Sequence, residues 1–303
     1  MDSTPTVSII IVTWNAWDYT QRCLNYLFKD NFPPGLEVIL VDNSSSDGTA
    51  KKAGEEFPHI TVIESGGNIG FGKACNLGMT YARGEFGVFL NNDALLSGIQ
   101  LEEMVRVYRE RELKGIYTSR IVDEQGNEEA SCFRDIGPNQ LLLNAVRTWE
   151  TIKKKTTYQL AESYNDAKEV DWCSGAFWFF PKKEWIEVGG FDENFFMYYE
   201  DIDLCNRWRN LGYKCYVNTR INISHACGGS STNNIDRAKV VDISQRYFYR
   251  KHYGVSGALK TRLFQFIRSG LRFPIYGLLA FSPKYRAESL LHFQLMLGAL
   301  KDA

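Results

Sequence analysis

Apolar and polar positions alternate along the first third of the chain in blocks of a constant kind. Four apolar runs of four to seven residues each end in a polar tip, and stretches with helical periodicity separate them. The runs cover residues 7–13, 36–41, 60–63 and 86–90. Short runs rich in β-branched and aromatic residues are typical of strands buried on both faces. Strands that alternate with helices predict an α/β fold with a mostly parallel sheet flanked by helices.

The polar tips carry the candidate chemistry. Thr13 ends the first run, Asp42 and Asn68 follow the second and third, and Asp93 follows the fourth. The carboxyl ends of parallel strands meet at one edge of a sheet, where ligands bind in α/β proteins. We therefore expect these tips to converge on one site. The tip at 91–93, two amides and a carboxylate, is the candidate holder of a cation and a phosphorylated ligand.

The rest of the chain is less regular. Residues 98–111 predict a helix with acidic residues early and basic residues late. Residues 115–133 predict two strands around a turn at 123–126, and residues 135–169 predict an insertion without a defined shape. Residues 246–287 contain nine Lys or Arg and no Asp or Glu, interleaved with aromatic and aliphatic residues. This last segment predicts a helical appendage with a basic, aromatic face.

Composition narrows the possible function classes. The chain has 303 residues, of which 44% are hydrophobic, so it can bury a sizeable core and is not expected to be disordered. A net charge of −1 argues against a globally basic nucleic-acid-binding protein. Seven scattered cysteines without CxxC spacing argue against a zinc finger or a disulfide framework, and favour a reducing compartment.

The sequence also predicts where the protein acts. Asp2 stands where a signal peptide carries positive charge, and no apolar run reaches the length of a membrane span. We therefore expect a cytoplasmic protein. Two interpretations of residues 246–287 stay open: a solvated face packed on the rest of the chain, or peripheral contact with the anionic inner face of the cell membrane. A homo-oligomer stays open as well.

Five motifs, in order and with ordinary spacing, resemble the family 2 glycosyltransferases, in particular bacterial rhamnosyltransferase-type enzymes of cell-surface polysaccharide assembly. They lie at residues 8–15, 41–44, 68–72, 91–93 and 191–203. The resemblance covers residues 6–230 and implies the GT-A fold, a nucleotide-sugar donor, Mn²⁺ or Mg²⁺, and inversion at the anomeric carbon. It implies a catalytic domain over 1–240, with a nucleotide-sugar half to about 115 and an acceptor half from about 116. A helical extension over 241–303 follows.

The resemblance also assigns metal-binding and catalytic groups. Asp93 matches the last Asp of the DxD-like motif, which binds the metal that bridges the donor diphosphate, and His225 matches a further metal ligand. Asn91 stands where many members have Asp, so one negative charge is missing. Asp201 matches the general base that deprotonates the acceptor hydroxyl, and Glu200 would orient the acceptor. The alternatives are a turn or cap role for Asp93, helix-dipole complementation by Asp201, and a structural role for His225.

The donor site follows from the same resemblance. Asp42 matches the residue that accepts the N3–H of uracil or thymine, a role that suits a carboxylate. The other predicted donor-site residues are Thr13, Asn15, Asn68, Gly70, Lys73, Asn76, Asn91, Asn92 and Trp172. A solvated role for Lys73 and a plain core role for Trp172 stay open.

The implied activity is transfer of a sugar, with rhamnose a candidate, from a dTDP- or UDP-sugar to a hydroxyl of a glycan or polyprenyl-linked glycan. One alternative is a non-catalytic protein that binds nucleotide sugars or carbohydrate, which would not require Asp93, Asp201 and His225 to converge. A sugar-1-phosphate nucleotidyltransferase is another alternative. Such an enzyme usually carries a Gly-rich, Arg- and Lys-containing signature after its first strand, which residues 13–17 lack.

Overall fold

The structure, a computed structural model, describes residues 5–29, 35–160, 165–226 and 234–301. The chain divides into two compact units, which we call the sheet unit and the helical unit. The sheet unit comprises Met1–Arg134, Thr157–Phe196 and Glu200–Ser231. The helical unit comprises Asp135–Thr156, Met197–Tyr199 and Thr232–Ala303.

The described part of the sheet unit contains strands and helices in alternation. Its strands are β1 (Val7–Thr13), β2 (Leu36–Asp42), β3 (Thr61–Glu64), β4 (Phe86–Asn91), β5 (Ala94–Leu95), β6 (Gly115–Val122), β7 (Cys132–Phe133), β8 (Lys168–Val170), β9 (Trp172–Cys173), β10 (Phe177–Pro181) and β11 (Lys214–His225). Its helices are α1 (Trp17–Phe28), α2 (Thr49–Glu56), α3 (Phe71–Tyr81), α4 (Gly98–Glu110), α7 (Lys182–Val188) and α8 (Glu200–Asn210). The helical unit contributes α5 (Pro138–Asn144), α6 (Trp149–Thr156), α9 (Asn234–Leu278) and α10 (Pro283–Lys301).

Among the described residues, nine strands form one sheet in the order β3-β2-β1-β4-β10-β6-β11-β5, with β8 also paired to β11. The first four strands of this order run parallel, and so do β6 and β11. By contrast, β10, β5 and β8 run antiparallel to their neighbours. The mostly parallel sheet predicted from the apolar runs is therefore confirmed.

The central strands are buried on both faces, as their continuous apolar character requires. Successive side chains of a strand point to opposite faces, so Ile9 and Ile11 pack with α1 and α4 on one side of β1. Ile10 lies on the other side with residues of α3, α7 and α8. Full burial of each such side chain contributes about 1.5–3 kcal/mol. The apolar residues packed on both faces of the sheet keep neighbouring strands side by side, and with them the residues at the strand ends.

The prediction for residues 115–133 is only partly right. The first strand is β6, and the turn is present because the amide of Asp123 donates to the carbonyl of Asn127 at 2.9 Å. The residues after the turn, however, pair with β6 only through the bridge between Val122 and Glu128. The next strand, β7, pairs with β9 in a separate two-stranded sheet. The return strand is short because its later residues take another partner.

The helical unit contains the predicted C-terminal helices together with two short helices, α5 and α6, from the segment 135–169. Helix α9 is interrupted at Gly254, whose φ of 62° and ψ of −151° lie outside the helical region. Pro274 falls inside the same helix. Within the described residues, no helix is both long enough and apolar enough to cross a membrane.

The aromatic layer beneath β4 gives a stability prediction. Phe89 is 1% exposed and its ring lies within 5.5 Å of the ring centroids of Phe180, Trp185 and Phe191. We expect Phe89→Ala to lower the free energy of unfolding by about 3–5 kcal/mol because it leaves a cavity in this layer. Urea denaturation would measure the loss. The control Ile186→Ala, at a side chain that is 66% exposed, should change stability by less than about 0.5 kcal/mol.

Candidate active site

The ends of β1, β2 and β4 lie side by side at one edge of the sheet. Thr13 is paired with Asp42 in the parallel register of β1 and β2, and the amide of Asn43 donates to the carbonyl of Thr13 at 2.8 Å. On the other side of β1, Val12 is paired with Asn91 of β4. The polar tips of these three strands are therefore neighbours.

Asp93 and His225 meet at this edge, although 132 residues separate them in the chain. In the antiparallel pair of β5 and β11, His225 lies opposite Ala94, and the amide of Ala226 donates to the carbonyl of Asp93 at 3.1 Å. The His225 Nε2 atom lies 3.0 Å from Asp93 Oδ1 and 3.2 Å from the side-chain nitrogen of Asn91. Backbone pairing thus brings three predicted site residues together.

The imidazole of His225 lies between two carboxylates. Burial acts to lower the pKa of His225, but the hydrogen bond with Asp93 and the negative charges of Asp93 and Glu129 raise it above its usual value. Glu129 Oε2 is 3.8 Å from His225 Nδ1. A carboxylate behind a ligating histidine fixes the orientation of the ring. The sequence did not suggest Glu129, because it lies in a polar stretch with no recognisable motif.

These side chains fit a divalent cation. A carboxylate oxygen and an imidazole nitrogen are ordinary ligands of Mn²⁺, and a carboxylate also suits Mg²⁺. The separation of 3.0 Å between Asp93 Oδ1 and His225 Nε2 is close to that of two adjacent ligands at about 2.1 Å from one ion. Asn91 adds an amide to this group without adding charge.

Asp42 is buried at the end of β2, with 1% of its surface exposed. Its Oδ2 accepts a hydrogen bond from the amide of Ser45 at 3.0 Å. Its Oδ1 has no hydrogen-bond partner in the part of the chain that the structure describes. A buried acceptor without a partner is costly, so Oδ1 is suited to an N–H donor from a ligand. The side chain of Asn15 nearby accepts from the amide of Ser46 at 2.6 Å.

The loop between β3 and α3 is tied to β2 through amide side chains. Asn43 Nδ2 donates to Asn68 Oδ1 at 3.0 Å, and Asn43 Oδ1 accepts from the amide of Ile69 at 3.0 Å. Gly70 has φ +85° and packs against the backbone of Phe196, where a Cβ atom would lie 2.3 Å from the carbonyl oxygen. In the structure, this glycine therefore permits a close approach of the loop to the backbone of Phe196.

Three predicted donor-site residues have side chains occupied by other contacts. Lys73 Nζ forms an ion pair with Glu193 at 3.1 Å. Asn76 donates to the carbonyl of Phe191 and accepts from its amide, both at 2.9 Å, and so holds the loop before α8. Trp172 stacks on Phe133 with ring centroids 4.2 Å apart.

Thr13 and Asn92 are also directed inward. The Thr13 hydroxyl lies 2.8 Å from that of Thr20, and Asn92 Nδ2 donates to both hydroxyls at 3.2 and 3.3 Å. All three side chains are buried. They join the tips of β1 and β4 to helix α1 and hold the edge on which Asp42 and Asp93 stand.

Asp201 and Glu200 form the first turn of α8. Burial raises the pKa of Asp201 to about 7, although hydrogen bonds from the amides of Ile202 and Gly175 act to lower it. Burial, together with the charge of Asp201, raises the pKa of Glu200 well above its usual range. Oε2 of Glu200 has no hydrogen-bond partner among the described residues. Perturbed carboxyl groups of this kind cluster at functional sites.

Asp201 is linked to the sheet edge by a short stretch of backbone. A Cβ atom added to Gly175 would lie 3.9 Å from Asp201 Cβ. The next residue, Ala176, accepts a hydrogen bond at its carbonyl from the amide of Asn91 at 3.0 Å. Gly175 and Ala176 thus connect the surroundings of Asp201 to the end of β4 that bears Asn91.

Comparison with known proteins identifies the class. The model of glycosyl transferase family 2 matches residues 8–179, which is more than half of the chain, and the protein belongs to this family. It is therefore a glycosyltransferase, and the resemblance seen in the sequence motifs is confirmed.

Two curated relatives are rhamnosyltransferases. The chain is 26% identical over 223 residues to the N-acetylglucosaminyl-diphospho-decaprenol L-rhamnosyltransferase of Mycobacterium tuberculosis, covering 69% of this chain and 72% of the relative. It is 28% identical over 219 residues to the rhamnosyltransferase WbbL of Escherichia coli, covering 69% of this chain and 79% of that protein.

Solved structures support the fold. The mannosyltransferase PcManGT from Pyrobaculum calidifontis, in complex with GDP-Man and Mn²⁺, matches with a TM-score of 0.57 at 17% identity, covering 99% of this chain and 88% of that chain. S. aureus TarS in complex with UDP matches with a TM-score of 0.53 at 18% identity, covering 88% and 70%. The GT-A fold implied by the motifs is confirmed.

The contact between Gly70 and Phe196 gives a prediction with a matched control. Gly70→Ala should destabilise the protein by about 3 kcal/mol, because the new Cβ meets a carbonyl oxygen at a φ that disfavours side chains. Gly66 also has positive φ, but nothing lies within 4 Å of its Cβ position. Gly66→Ala should therefore cost only about 1 kcal/mol. Equal losses in urea denaturation would contradict the backbone contact.

Proposed function

We propose that the protein is a metal-dependent, inverting glycosyltransferase that moves a sugar from a dTDP- or UDP-sugar to a hydroxyl of a lipid-linked glycan, with rhamnose the leading candidate. The observation that carries the proposal is the 3.0 Å contact between Asp93 and His225, which makes a carboxylate–imidazole pair at the sheet edge. The rhamnosyltransferase relatives support the sugar. The printed name of the mycobacterial relative, which includes a diphospho-decaprenol, supports a lipid-linked acceptor.

The donor base would bind at Asp42. Its Oδ1 is a buried acceptor with no partner among the described residues, and the N3–H of uracil or thymine is a donor of the matching kind. Cytosine lacks a hydrogen at N3 and would leave this oxygen unpaired. The dTDP- or UDP-sugar is favoured for this reason.

Asp93 and His225 would hold the metal, with Asn91 beside them. When bound, a divalent cation supplies positive charge that stabilises the diphosphate as it leaves. Glu129 would orient the imidazole of His225. It lies next to Nδ1 and so favours the orientation in which Nε2 faces Asp93.

Asp201 would serve as the general base. The acceptor oxygen forms a bond to the anomeric carbon while its proton passes to the Asp201 carboxylate, and the bond from that carbon to the diphosphate oxygen breaks. A single displacement of this kind inverts the anomeric centre. A pKa near 7 suits a base that works at neutral pH.

The helical unit offers a surface for peripheral contact with a membrane. Large apolar side chains are exposed on α9 and in the turn that follows it, among them Leu271, Ile275 and Leu278 of the helix and Phe281 of the turn. They lie in the segment 246–287, which is rich in Lys and Arg. Apolar groups interleaved with basic ones favour an anionic lipid surface, which would bring the enzyme to a lipid-linked acceptor.

The base assignment predicts a pH dependence. Asp201 must be deprotonated to act, so the wild-type transfer rate should rise with pH through about 7. Asp201→Asn should lower the rate by about 10²–10⁴-fold and remove this rise, while UDP binding stays unchanged. The control Glu124→Gln removes an exposed carboxylate and should keep the wild-type profile. Retained turnover in Asp201→Asn would overturn the assignment.

The metal assignment predicts a different loss. Asp93→Ala should abolish the dependence of UDP binding on Mn²⁺, because it removes the only carboxylate of the proposed ligand set. Calorimetric titration of UDP with and without Mn²⁺ would measure the effect. His225→Ala should weaken the same dependence, and Glu124→Ala should leave it intact. A full Mn²⁺ effect in Asp93→Ala would show that the ion binds elsewhere.

A further inference from the structure

The helical unit contains a cavity of about 530 Å³ that is separate from the residues assigned above. Side chains of α5, α6, α9 and α10 line it, and its volume falls in the range of small-molecule sites. The polar side chains that line it are mainly arginines and uncharged groups that form hydrogen bonds. The residues used below are Arg268, Arg272, Gln265, Ser269, Tyr276 and His292.

The arginines of this lining outnumber its available acids. Arg237, Arg268 and Arg272 line the cavity together with Asp242 and Glu288. Asp242 forms an ion pair with another residue, Arg246, four positions along α9. In the part of the chain that the structure describes, no carboxylate lies within 4.0 Å of Arg268 or Arg272. The cavity therefore holds an excess of positive charge.

Arg268 is held in place without a counter-ion. Its guanidinium donates to the carbonyl of Asn144 at 3.2 Å and lies 5.6 Å from the ring centroid of Phe264. Burial and the neighbouring charge of Arg272 lower the pKa of Arg268 to about 10. Two arginines that disfavour each other's charge in a partly buried site would both be stabilised by an anion.

His292 responds to the same charges. Burial, followed by the charges of Arg272 and Arg268, lowers the pKa of His292 to about 4. The imidazole is therefore neutral at physiological pH and stacks on Tyr276, with ring centroids 5.4 Å apart. Its Nδ1 lies 3.5 Å from the hydroxyl of Ser269, which also accepts from Gln265 at 3.0 Å. Neutral hydrogen-bonding groups thus accompany the two guanidinium groups.

We propose that this cavity is a second anion site, which binds a phosphate or diphosphate group. Guanidinium groups bind phosphate oxygens in pairs and with defined geometry. The lining combines two such groups with hydroxyl, amide and imidazole side chains, a set that suits phosphate oxygens better than a carbohydrate ring.

The surroundings favour a phosphate that is carried on an apolar chain. Leu271 and Ile275 are exposed and adjoin Arg272 and Tyr276 in the sequence. Leu278, a little further along α9, is 84% exposed. A free phosphate would make no use of these side chains, whereas a lipid headgroup would bring an apolar chain with it. That such a lipid is the glycan acceptor rests on the proposed function; the binding of phosphate does not.

The first arm of the test uses inorganic diphosphate and the full chain. Calorimetric titration in EDTA, which removes metal-dependent binding at the sheet edge, would compare wild type with Arg268→Gln/Arg272→Gln. Arg286→Gln is the control, because it removes an exposed arginine of α10 that does not line the cavity. We expect the double variant to lose about tenfold or more in affinity and the control to stay within about twofold.

The second arm identifies the source of the phosphate. Phosphatidylcholine vesicles that contain a few mole per cent of a long-chain prenyl diphosphate are compared with vesicles of equal charge made with phosphatidylglycerol. Preferential binding to the diphosphate vesicles that the double variant loses supports a lipid-borne group. Binding of inorganic diphosphate without that preference supports a free anion. Equal binding by wild type, double variant and control in both arms would overturn the site.

Two further measurements keep these outcomes clear. Arg272→Gln alone leaves the contacts of Arg268 in place, so it separates loss of the anion site from loss of folding, which thermal denaturation would detect. UDP binding with Mn²⁺ should be unchanged in every cavity variant. If neither UDP nor dTDP binds the wild type, the proposed function fails while the cavity result stands.

Discussion

The pairing of β5 with β11 is the constraint on which the site depends. β5 has two residues, yet its register places His225 opposite Ala94 and so fixes the distance from His225 to Asp93. A slip of one residue would turn these side chains to the opposite face of the sheet. The pair is secured from both sides. On one side, β11 pairs with β6 on either side of an irregularity between Asn218 and Asn222. On the other, Asp93 lies two residues after the buried strand β4.

At the start of α8, the main constraint is the burial of two adjacent carboxyl groups, Glu200 and Asp201. Adjacent carboxyl groups in a buried first turn raise the energy of their charged forms, and the amides of Ile202 and Gly175 offset this only in part. The backbone shows related strain, since Tyr198 and Tyr199, directly before the helix, both have positive φ. Such conformations persist where the surrounding structure enforces them.

Elements whose residues are buried in the sheet can be predicted from the sequence. The sequence is less informative about which polar side chains bind a ligand and which bind another part of the protein. The four apolar runs predicted β1 to β4 and the convergence of their tips, because strand period and parallel order leave few alternatives. The same reasoning could not reveal that Asn76 holds the loop at Phe191, or that Asn92 faces Thr13. Those partners are set by distant segments. Glu129 was missed for the same reason, as its only marker is proximity to His225.

In our two proposals, the sheet unit would bind phosphate through a metal ion and the helical unit through arginine side chains. The difference follows from whether the bound phosphate takes part in the reaction. In the proposed reaction, charge develops on the diphosphate as the sugar leaves, so a cation held by Asp93 and His225 would act where the transition state needs stabilisation. A phosphate that serves only to retain an amphiphilic molecule undergoes no change in charge. Fixed guanidinium groups such as Arg268 and Arg272 suit that task, since they bind without a cofactor and remain charged at neutral pH.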